Sequence, residues 1–137
     1  MQIVVFKLGD EHFAVETDRV QSINDIMSIT RVPKAPKYIK GLIKLRGSIK
    51  SLVDLNLLLN VNHENEQNNI IILTVEDEEI GILVDEVEEV LDIEEKSIQK
   101  LDKDFDKTQP YLKGILNYED KLLTIIDIDK ILNTKLI

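Results

Sequence analysis

The sequence predicts a mainly β protein made of two similar small β-barrels packed together, with a few short helices. Three observations lead to this fold class. Short runs of β-branched and apolar residues are separated by turn signals every 8–12 residues, a spacing typical of barrels and sandwiches. The second half of the chain repeats the pattern of the first. The length of 137 residues, with 43% hydrophobic and 31% charged residues, suits one globular domain.

The internal repeat has two parts that recur in the same order. Residues Ile39–Asn60 align with Leu112–Asn133 at a constant offset of 73 positions, and Asp10–Asp25 align with Asp77–Asp92 at an offset of 67. Two copies are too few for a solenoid, so they indicate two related units that pack on each other. The identical pairs are Lys40/Lys113, Gly41/Gly114, Asp54/Asp127, Leu59/Leu132, Asn60/Asn133, Asp10/Asp77, Glu11/Glu78, Asp18/Asp85, Val20/Val87 and Asp25/Asp92.

The first strands follow from local patterns. Residues Ile3–Leu8 are rich in apolar and β-branched residues, Gly9-Asp10 suits a tight turn, and Glu11–Val15 returns as the second arm of a hairpin. A short helical segment is predicted at Thr17–Gln21.

The next hairpin contains an alternating strand. Ile39, Gly41, Ile43 and Leu45 alternate with Lys40, Leu42, Lys44 and Arg46, which predicts a half-buried strand. The segment Arg46-Gly47-Ser48 then turns the chain into a strand at Ile49–Leu55.

In the second half, Ile70–Val75 is apolar throughout, so we expect a strand covered on both faces. Glu76–Glu79 forms an exposed turn into Ile80–Val84. Short helical pieces are predicted at Asp85–Glu89 and Asp127–Leu132. The polar segments Asn60–Asn69 and Asp102–Gln109 are predicted to be loops.

Composition and charge narrow the functional classes. The net charge is −9, but residues 1–68 carry nine Lys/Arg against eight Asp/Glu, whereas residues 69–137 carry eight against 18. An acidic chain with few aromatic residues is a poor candidate for binding nucleic acid. The absence of cysteine, of a signal-peptide pattern and of an apolar run near ~20 residues favours a cytoplasmic protein without direct membrane insertion.

Catalytic and metal-binding patterns are weak, so we expect no enzyme activity, cofactor or metal. His12 and His63 do not form a spaced ligand set, and the acidic turn Glu76–Glu79 lacks the spacing of a calcium loop. Asp54 and Asp127 are equivalent in the repeat and are better explained as helix caps than as paired catalytic carboxylates. A cation-dependent enzyme using these aspartates or the acidic turn is a remote alternative.

The segment Thr30–Leu55 carries a more specific pattern. An Arg-Val-Pro…Ala-Pro loop leads into Ile-Lys-Gly, a Leu-Arg-Gly turn and an Asp-Leu strand end, and this combination resembles the CheW family of chemotaxis coupling proteins. Three further segments match in family order: Val4–Val15 with the Val-Gln-x-Ile that starts at Val20, Gly81–Asp85 with Val87, and Tyr111–Asn133. The resemblance covers nearly the whole chain.

The resemblance implies a single domain over residues 1–137 composed of two pseudo-symmetric, five-stranded, SH3-like β-barrels. It implies an adaptor that couples the cytoplasmic tips of methyl-accepting chemotaxis receptors to the regulatory domain of the histidine kinase CheA, at membrane-associated receptor arrays. The matched receptor-binding residues are Arg46, Ile49 and Ile71. The matched kinase-binding residues are Val20, Ser22, Ile23 and Phe105.

Several alternatives stay open from the residues alone. Ile49 and Ile23 are equally compatible with barrel core, and the basic run Arg31–Lys50 is compatible with either a solvated face or an acidic partner. Lys44, Ser51 and Ser22 depart from the family pattern. A CheW-like paralogue of a non-motility pathway, or a ring-filling unit that pairs with other CheW-like domains, is therefore an alternative function.

Overall fold

The computed structural model describes residues 1–61, 65–100 and 111–136, with side chains up to Leu132. The described residues form ten β-strands, two α-helices and two single-turn 3-10 helices, at Thr17–Arg19 and Glu95–Ser97. The strands are β1 Gln2–Leu8, β2 Glu11–Glu16, β3 Val20–Asp25, β4 Ile39–Leu45, β5 Ser48–Asp54, β6 Asn69–Val75, β7 Glu78–Val84, β8 Glu86–Asp92, β9 Leu112–Tyr118 and β10 Lys121–Ile126. The helices are α1 Leu55–Leu59 and α2 Ile128–Leu136.

The strands form two five-stranded sheets with the same topology. The first sheet has the order β8-β1-β2-β10-β9, and the second has the order β3-β6-β7-β5-β4. Replacing each strand of the first half by its repeat mate converts one order into the other. In each sheet one pairing is parallel, β2 with β10 and β7 with β5, and the remaining pairings are antiparallel. The predicted duplication is therefore present in the strand order.

Each sheet combines strands from both halves of the chain. The first sheet, which we call barrel 1, takes β1 and β2 from the first half and β8, β9 and β10 from the second. The second sheet, barrel 2, takes β6 and β7 from the second half and β3, β4 and β5 from the first. Neither barrel is a continuous stretch of sequence.

The buried side chains form three clusters, of which the largest joins the two barrels. Two small clusters lie within the individual sheets: Ile3, Val5, Ala14, Leu116, Leu123 and Ile125 in barrel 1, and Ile43, Leu52, Ile70, Ile72 and Leu83 in barrel 2. The largest cluster, the central core, takes the alternate residues of the same strands and contains symmetry mates such as Val4 with Ile71 and Phe6 with Leu73. Strands β1 and β6 are thus buried on both faces, which explains the four successive apolar residues in each and confirms the prediction for Ile70–Val75.

Each sheet has one backbone bridge between the strand at one end and the chain that follows the strand at the other end. Thr30, beyond β3, exchanges hydrogen bonds with Leu42 of β4 at 2.8 and 2.7 Å, and Gln99, beyond β8, does so with Ile115 of β9 at 2.8 and 2.9 Å. These bridges lie at equivalent places in the two barrels. They link the last strand of each sheet to the chain that continues from the first, as the SH3-like fold requires.

The predicted hairpins and the C-terminal helix are confirmed, but one predicted helix is wrong. Of the predicted helix Asp85–Glu89, Asp85 precedes β8 and Glu86–Glu89 belong to β8, where they pair with β1. The helical segment expected at Thr17–Gln21 is a single 3-10 turn that ends at Arg19, before β3 begins. In the described residues, no helix is long and apolar enough to cross a bilayer.

Candidate functional site

Arg46 lies at the tip of the hairpin formed by β4 and β5. Arg46 and Gly47 occupy the two central turn positions with φ angles of 52° and 79°, which is the geometry of a type I′ turn. The Arg46 side chain is exposed and forms no ion pair with another residue in the described part of the chain. A guanidinium held at a rigid turn can offer its fork of donors to a carboxylate or to backbone carbonyls of a partner.

Ile49 follows the turn and is 71% exposed. It faces Lys44 across the hairpin, on the outer side of the sheet. Beside it is a groove of about 720 Å³ whose apolar lining includes Leu42 and Ile80. Because a large aliphatic side chain gains about 1.5–3 kcal/mol on full burial, Ile49 is a strong candidate for an apolar anchor in a protein interface.

The rim of this groove carries a structural ion pair. The Lys50 ammonium lies 3.1 Å from the carboxylate of Glu79 and is 13% exposed. This pair joins β5 to β7, the neighbouring strand in barrel 2. Because Lys50 is paired, Lys44 and Arg46 are the two cations beside Ile49 that form no ion pair in the described part of the chain.

The candidate kinase-binding residues lie on β3, which is the first strand of barrel 2 and pairs within the sheet only with β6. Ile23 is 42% exposed, whereas Val20 is half-buried and packs against the central core. Ser22 is partly buried and accepts a hydrogen bond of 2.9 Å from the Asn24 amide. Ile23, together with the neighbouring exposed Ile26, provides the apolar surface of this edge.

Two of the residues matched by family resemblance are not part of these surfaces. Ile71 has 0% of its surface exposed and belongs to the central core, which also contains its symmetry mate Val4. Its side chain therefore has no surface to offer a receptor, and its burial corrects the expectation of a direct contact. Phe105, expected at a kinase contact, lies outside the described residues.

Exposed apolar residues in barrel 1 were missed by the sequence reasoning. Leu122 is 53% exposed and Val90 is 52% exposed. They are the repeat mates of Ile49 and Ile23 at offsets of 73 and 67. The repeat register pairs them with two candidate residues, and it would have made them candidates as well, but their exposure is visible only in the structure.

The two equivalent hairpin tips differ sharply in charge. The tip between β9 and β10 carries Glu119 and Asp120, whose φ angles of 44° and 65° resemble those of Arg46 and Gly47. The negative charge of Glu119 raises the pKa of the Tyr118 hydroxyl above its ordinary value of 10.0, with smaller contributions from burial and other groups. The two turns have the same backbone shape. The tip in barrel 2 carries a positive charge near the exposed Ile49, and the tip in barrel 1 carries negative charges near the exposed Leu122.

The repeat-related aspartates act as helix caps, as predicted. Asp54 accepts a hydrogen bond from the backbone N–H of Leu57 at 3.3 Å, and Asp127 accepts one from Lys130 at the same distance. Asp54 is buried and also accepts from the Gln67 amide at 3.0 Å. Among the residues that the structure describes, no three His, Asp or Glu side chains converge in a way that could hold a metal ion.

A charged cluster crosses the surface of barrel 1. Glu88 binds the Nδ1 atom of His12 through one carboxylate oxygen, and its other oxygen lies 3.4 Å from the Lys121 ammonium. Burial raises the pKa of the Glu88 carboxyl, but the hydrogen bonds and positive charges of His12 and Lys121 together outweigh it. The pKa of Glu88 therefore lies below its ordinary value of 4.5. This cluster joins β2, β8 and β10 and has a structural role.

Comparisons with known proteins agree with this fold. Residues 2–136 match the family model of the CheW-like domain. The chain is 32% identical over 135 residues to the chemotaxis protein CheW of Bacillus subtilis, covering 96% of this chain and 86% of that one. It is also 32% identical over 132 residues to the chemotaxis protein CheW of Thermotoga maritima, covering 96% and 87% of the two chains.

A solved structure has the same architecture. The crystal structure of the scaffolding protein TtCheW from Thermoanaerobacter tengcongensis superposes with a TM-score of 0.86 at 30% sequence identity, covering 95% of this chain and 86% of that one. The match of the family model to nearly every residue and the similarity to these relatives leave one assignment. The chain belongs to the CheW family.

Proposed function

We propose that this protein is a chemotaxis adaptor that couples methyl-accepting receptors to the histidine kinase CheA and acts through binding geometry rather than catalysis. The observation that carries the proposal is the pair of exposed apolar sites on barrel 2, at Ile49 and at Ile23, within a chain of the CheW family. Exposed aliphatic side chains beside polar rims are typical of protein-binding surfaces. This function would place the protein at cytoplasmic receptor arrays.

The proposed receptor surface is the β4–β5 hairpin. Ile49 supplies an apolar anchor, and Arg46 supplies charge-assisted hydrogen bonds at the rim. The groove beside Ile49 provides a concave apolar surface for a receptor side chain. Ile71 supports this face from the core without touching the partner.

The proposed kinase surface is the outer side of β3. Ile23 and Ile26 are the exposed apolar residues there, and Val20 anchors the strand to the central core. The β-barrels of the CheA regulatory domain are the proposed partners. Ser22 is partly buried and alternates with Ile23 along the strand, and we retain Ser22 and Phe105 as proposed kinase contacts on the family resemblance alone.

The central core holds the two surfaces in a fixed relative position. Strands β3 and β5 belong to the same sheet, separated by β6 and β7, so receptor and kinase contacts are joined by a continuous hydrogen-bonded ladder. A signal can pass through such an adaptor only if the free energy of its contacts differs between the kinase-on and kinase-off arrangements. The rigidity of the fold makes that difference depend on the relative position of the partners.

The test compares single charged substitutions at the two surfaces. Ile49→Glu and Arg46→Glu should weaken binding to a purified receptor cytoplasmic tip while leaving binding to the CheA regulatory domain unchanged. Ile23→Asp should have the opposite selectivity. Loss of an interface anchor costs about 2 kcal/mol or more, so the affected dissociation constant should rise by about 30-fold or more. Isothermal titration calorimetry with each partner measures both affinities.

Leu122→Glu is the matched control for Ile49→Glu. It makes the same chemical change at the equivalent position of the other barrel, at a similarly exposed residue. The control should leave receptor binding within about twofold of the parent protein. Equal losses for the two substitutions, or unchanged receptor-dependent kinase activity with Arg46→Glu, would contradict the assignment of the receptor surface.

A second candidate is a CheW-like paralogue or ring-filling unit that pairs with other CheW-like domains. It is favoured by the positions of two departures from the family pattern: Lys44 faces Ile49 across the hairpin, and Ser22 lies beside Ile23. Lys44 therefore lies in the proposed receptor surface and Ser22 lies in the strand that carries the proposed kinase surface, so both are placed to alter the choice of partner. Affinity for a second copy that exceeds affinity for the CheA regulatory domain, measured by sedimentation and titration, would support this candidate.

A further inference from the structure

A second concave surface lies on barrel 2, next to the hairpin groove. The loop of residues 31–37, the start of β4 and helix α1 enclose a cleft of about 860 Å³. Its apolar lining includes Ile29, Val32, Ile39 and the partly exposed Leu57. The size falls within the range of clefts that bind small ligands or the side chains of a peptide.

The rim of this cleft is strongly basic. Arg31, Lys34, Lys37 and Lys40 line it. In the described parts of the chain, none of these four side chains forms an ion pair, although five other Lys or Arg residues do. Four neighbouring cations without an ion-pair partner give this part of a protein whose net charge is −9 a local excess of positive charge. The local positive field is therefore available to an external partner.

In the repeat, the lysine equivalent to one of these four residues is neutralised by a carboxylate. Lys113, the mate of Lys40 in barrel 1, is paired with the carboxylate of Glu16. The position equivalent to Glu16 in barrel 2 is Leu83, which is buried. Lys40 therefore lacks the carboxylate that its mate has, and the difference arises from the sequence rather than from the fold.

The chemistry of the cleft distinguishes between two kinds of anionic ligand. The buried carboxylate of Asp54 lines the cleft and would repel a small, fully charged anion such as phosphate. The backbone N–H of Leu57 donates to Asp54 and is not free to bind an added anion. An apolar lining with cations around its rim instead fits a ligand that presents aliphatic side chains inward and carboxylates outward.

We propose that this basic cleft binds an acidic, amphipathic segment of a partner protein. The apolar side chains of the segment lie against Ile29, Val32, Ile39 and Leu57, and its carboxylates pair with the four cations at the rim. The rim residues Arg31, Lys34 and Lys37 lie outside both proposed surfaces, whereas Val32 and Ile39 line both this cleft and the hairpin groove.

The test uses a dye-labelled synthetic peptide of fourteen residues, with leucine at helical spacing and glutamate at the other positions, as the probe. Fluorescence anisotropy with the full chain should show saturable binding that weakens as salt is raised. The double substitution Lys34→Glu with Lys37→Glu should raise the dissociation constant by about tenfold or more, because it replaces two attractive rim charges with two repulsive ones. Leu57→Asp should weaken binding through the apolar lining.

The matched control is Lys100→Glu with Lys130→Glu. It makes the same change of net charge at two lysines outside the cleft. It should change the dissociation constant by less than about twofold. Amide chemical shifts should move at Val32, Ile39 and Leu57 when the peptide is added.

Four results would overturn the proposal: no saturable binding, equal losses in the two double variants, equal affinity for a scrambled peptide of the same composition, or displacement of the peptide by millimolar phosphate or ATP. The last result would identify a site for small anions instead. Urea unfolding of each variant checks that the substitutions leave the fold intact.

Discussion

Substitution of the barrel-closing glycines provides a quantitative test of the fold. At Gly41, a Cβ atom would clash with the carbonyl oxygen of Thr30 and lie 2.8 Å from Ile29 Cγ2, and the φ angle of +153° is also unfavourable for an L-residue. Gly114, its repeat mate, would place a Cβ atom against Ile98 and 2.8 Å from the carbonyl oxygen of Gln99. These are the segments that bridge to β4 and β9, so the glycines permit the close approach.

The three glycine-to-alanine substitutions separate backbone strain from steric clash. Gly47 has a φ angle of +79°, but an added Cβ atom there would meet no other atom within 4 Å, so Gly47→Ala should cost only the strain. That strain is about 1 kcal/mol. Gly114→Ala should cost about 1–3 kcal/mol through overpacking. Gly41→Ala combines both effects and should cost about 2–4 kcal/mol.

Urea unfolding followed by circular dichroism measures the free energy of unfolding for each variant. The expected order of destabilisation is Gly41→Ala, then Gly114→Ala, then Gly47→Ala. If Gly41→Ala destabilises the protein no more than Gly47→Ala, the bridge between Thr30 and Leu42 does not need the close approach, and glycine is not required at position 41 to close the barrel. Unchanged m-values would show that the denatured states are comparable.

Three further predictions concern the core, the helix caps and the charged cluster. Ile71→Ala should lower the free energy of unfolding by about 2–5 kcal/mol, whereas Ile49→Ala should change it by less than about 0.5 kcal/mol, as measured by urea titration. Asp54→Ala should destabilise the fold by about 1–3 kcal/mol because it removes a cap and one of the two hydrogen bonds donated by the Gln67 amide, and the more exposed Asp127→Ala should cost about 0.5–1 kcal/mol. The lowered pKa of Glu88 means that its ionised form stabilises the fold above the unfolded pKa near 4.5, and that this contribution is lost as the pH falls through the folded pKa. Glu88→Gln should therefore lose less stability than the parent protein on acidification from about pH 5 to 3, and a parallel loss in thermal melts of both proteins would contradict this account.

The fold class could be predicted because alternation and duplication are visible along the chain. Strand β4 buries Gly41 and Ile43 and exposes Lys40 and Lys44, as its alternating sequence indicates. Strand β8 was missed because it is polar at four of its seven positions and lies at the end of a sheet, where only alternate residues need to be apolar. Its identity as a strand depends on pairing with β1, which is distant in sequence.

The candidate site was only partly predictable for a similar reason. Ile49 and Ile71 both lie in apolar strands, yet one is 71% exposed and the other fully buried. Local pattern cannot distinguish them, because exposure depends on which face of each sheet meets the second barrel. The turn at Arg46 was predictable, since Arg-Gly-Ser is a local turn signal, and its exposure follows from its place at a hairpin tip.

Because each barrel takes strands from both halves of the chain, the protein cannot be cut into two separate barrels. A cut in the polar segment between α1 and β6 would leave each fragment with strands from two different barrels, so neither fragment could complete a hydrophobic core alone. We expect such fragments to regain structure only when mixed, by reciprocal exchange of strands. The same connectivity is what a two-fold dimer of a half-length ancestor would have after its subunits became fused. It also means that neither barrel can be completed before both halves of the chain have supplied their strands.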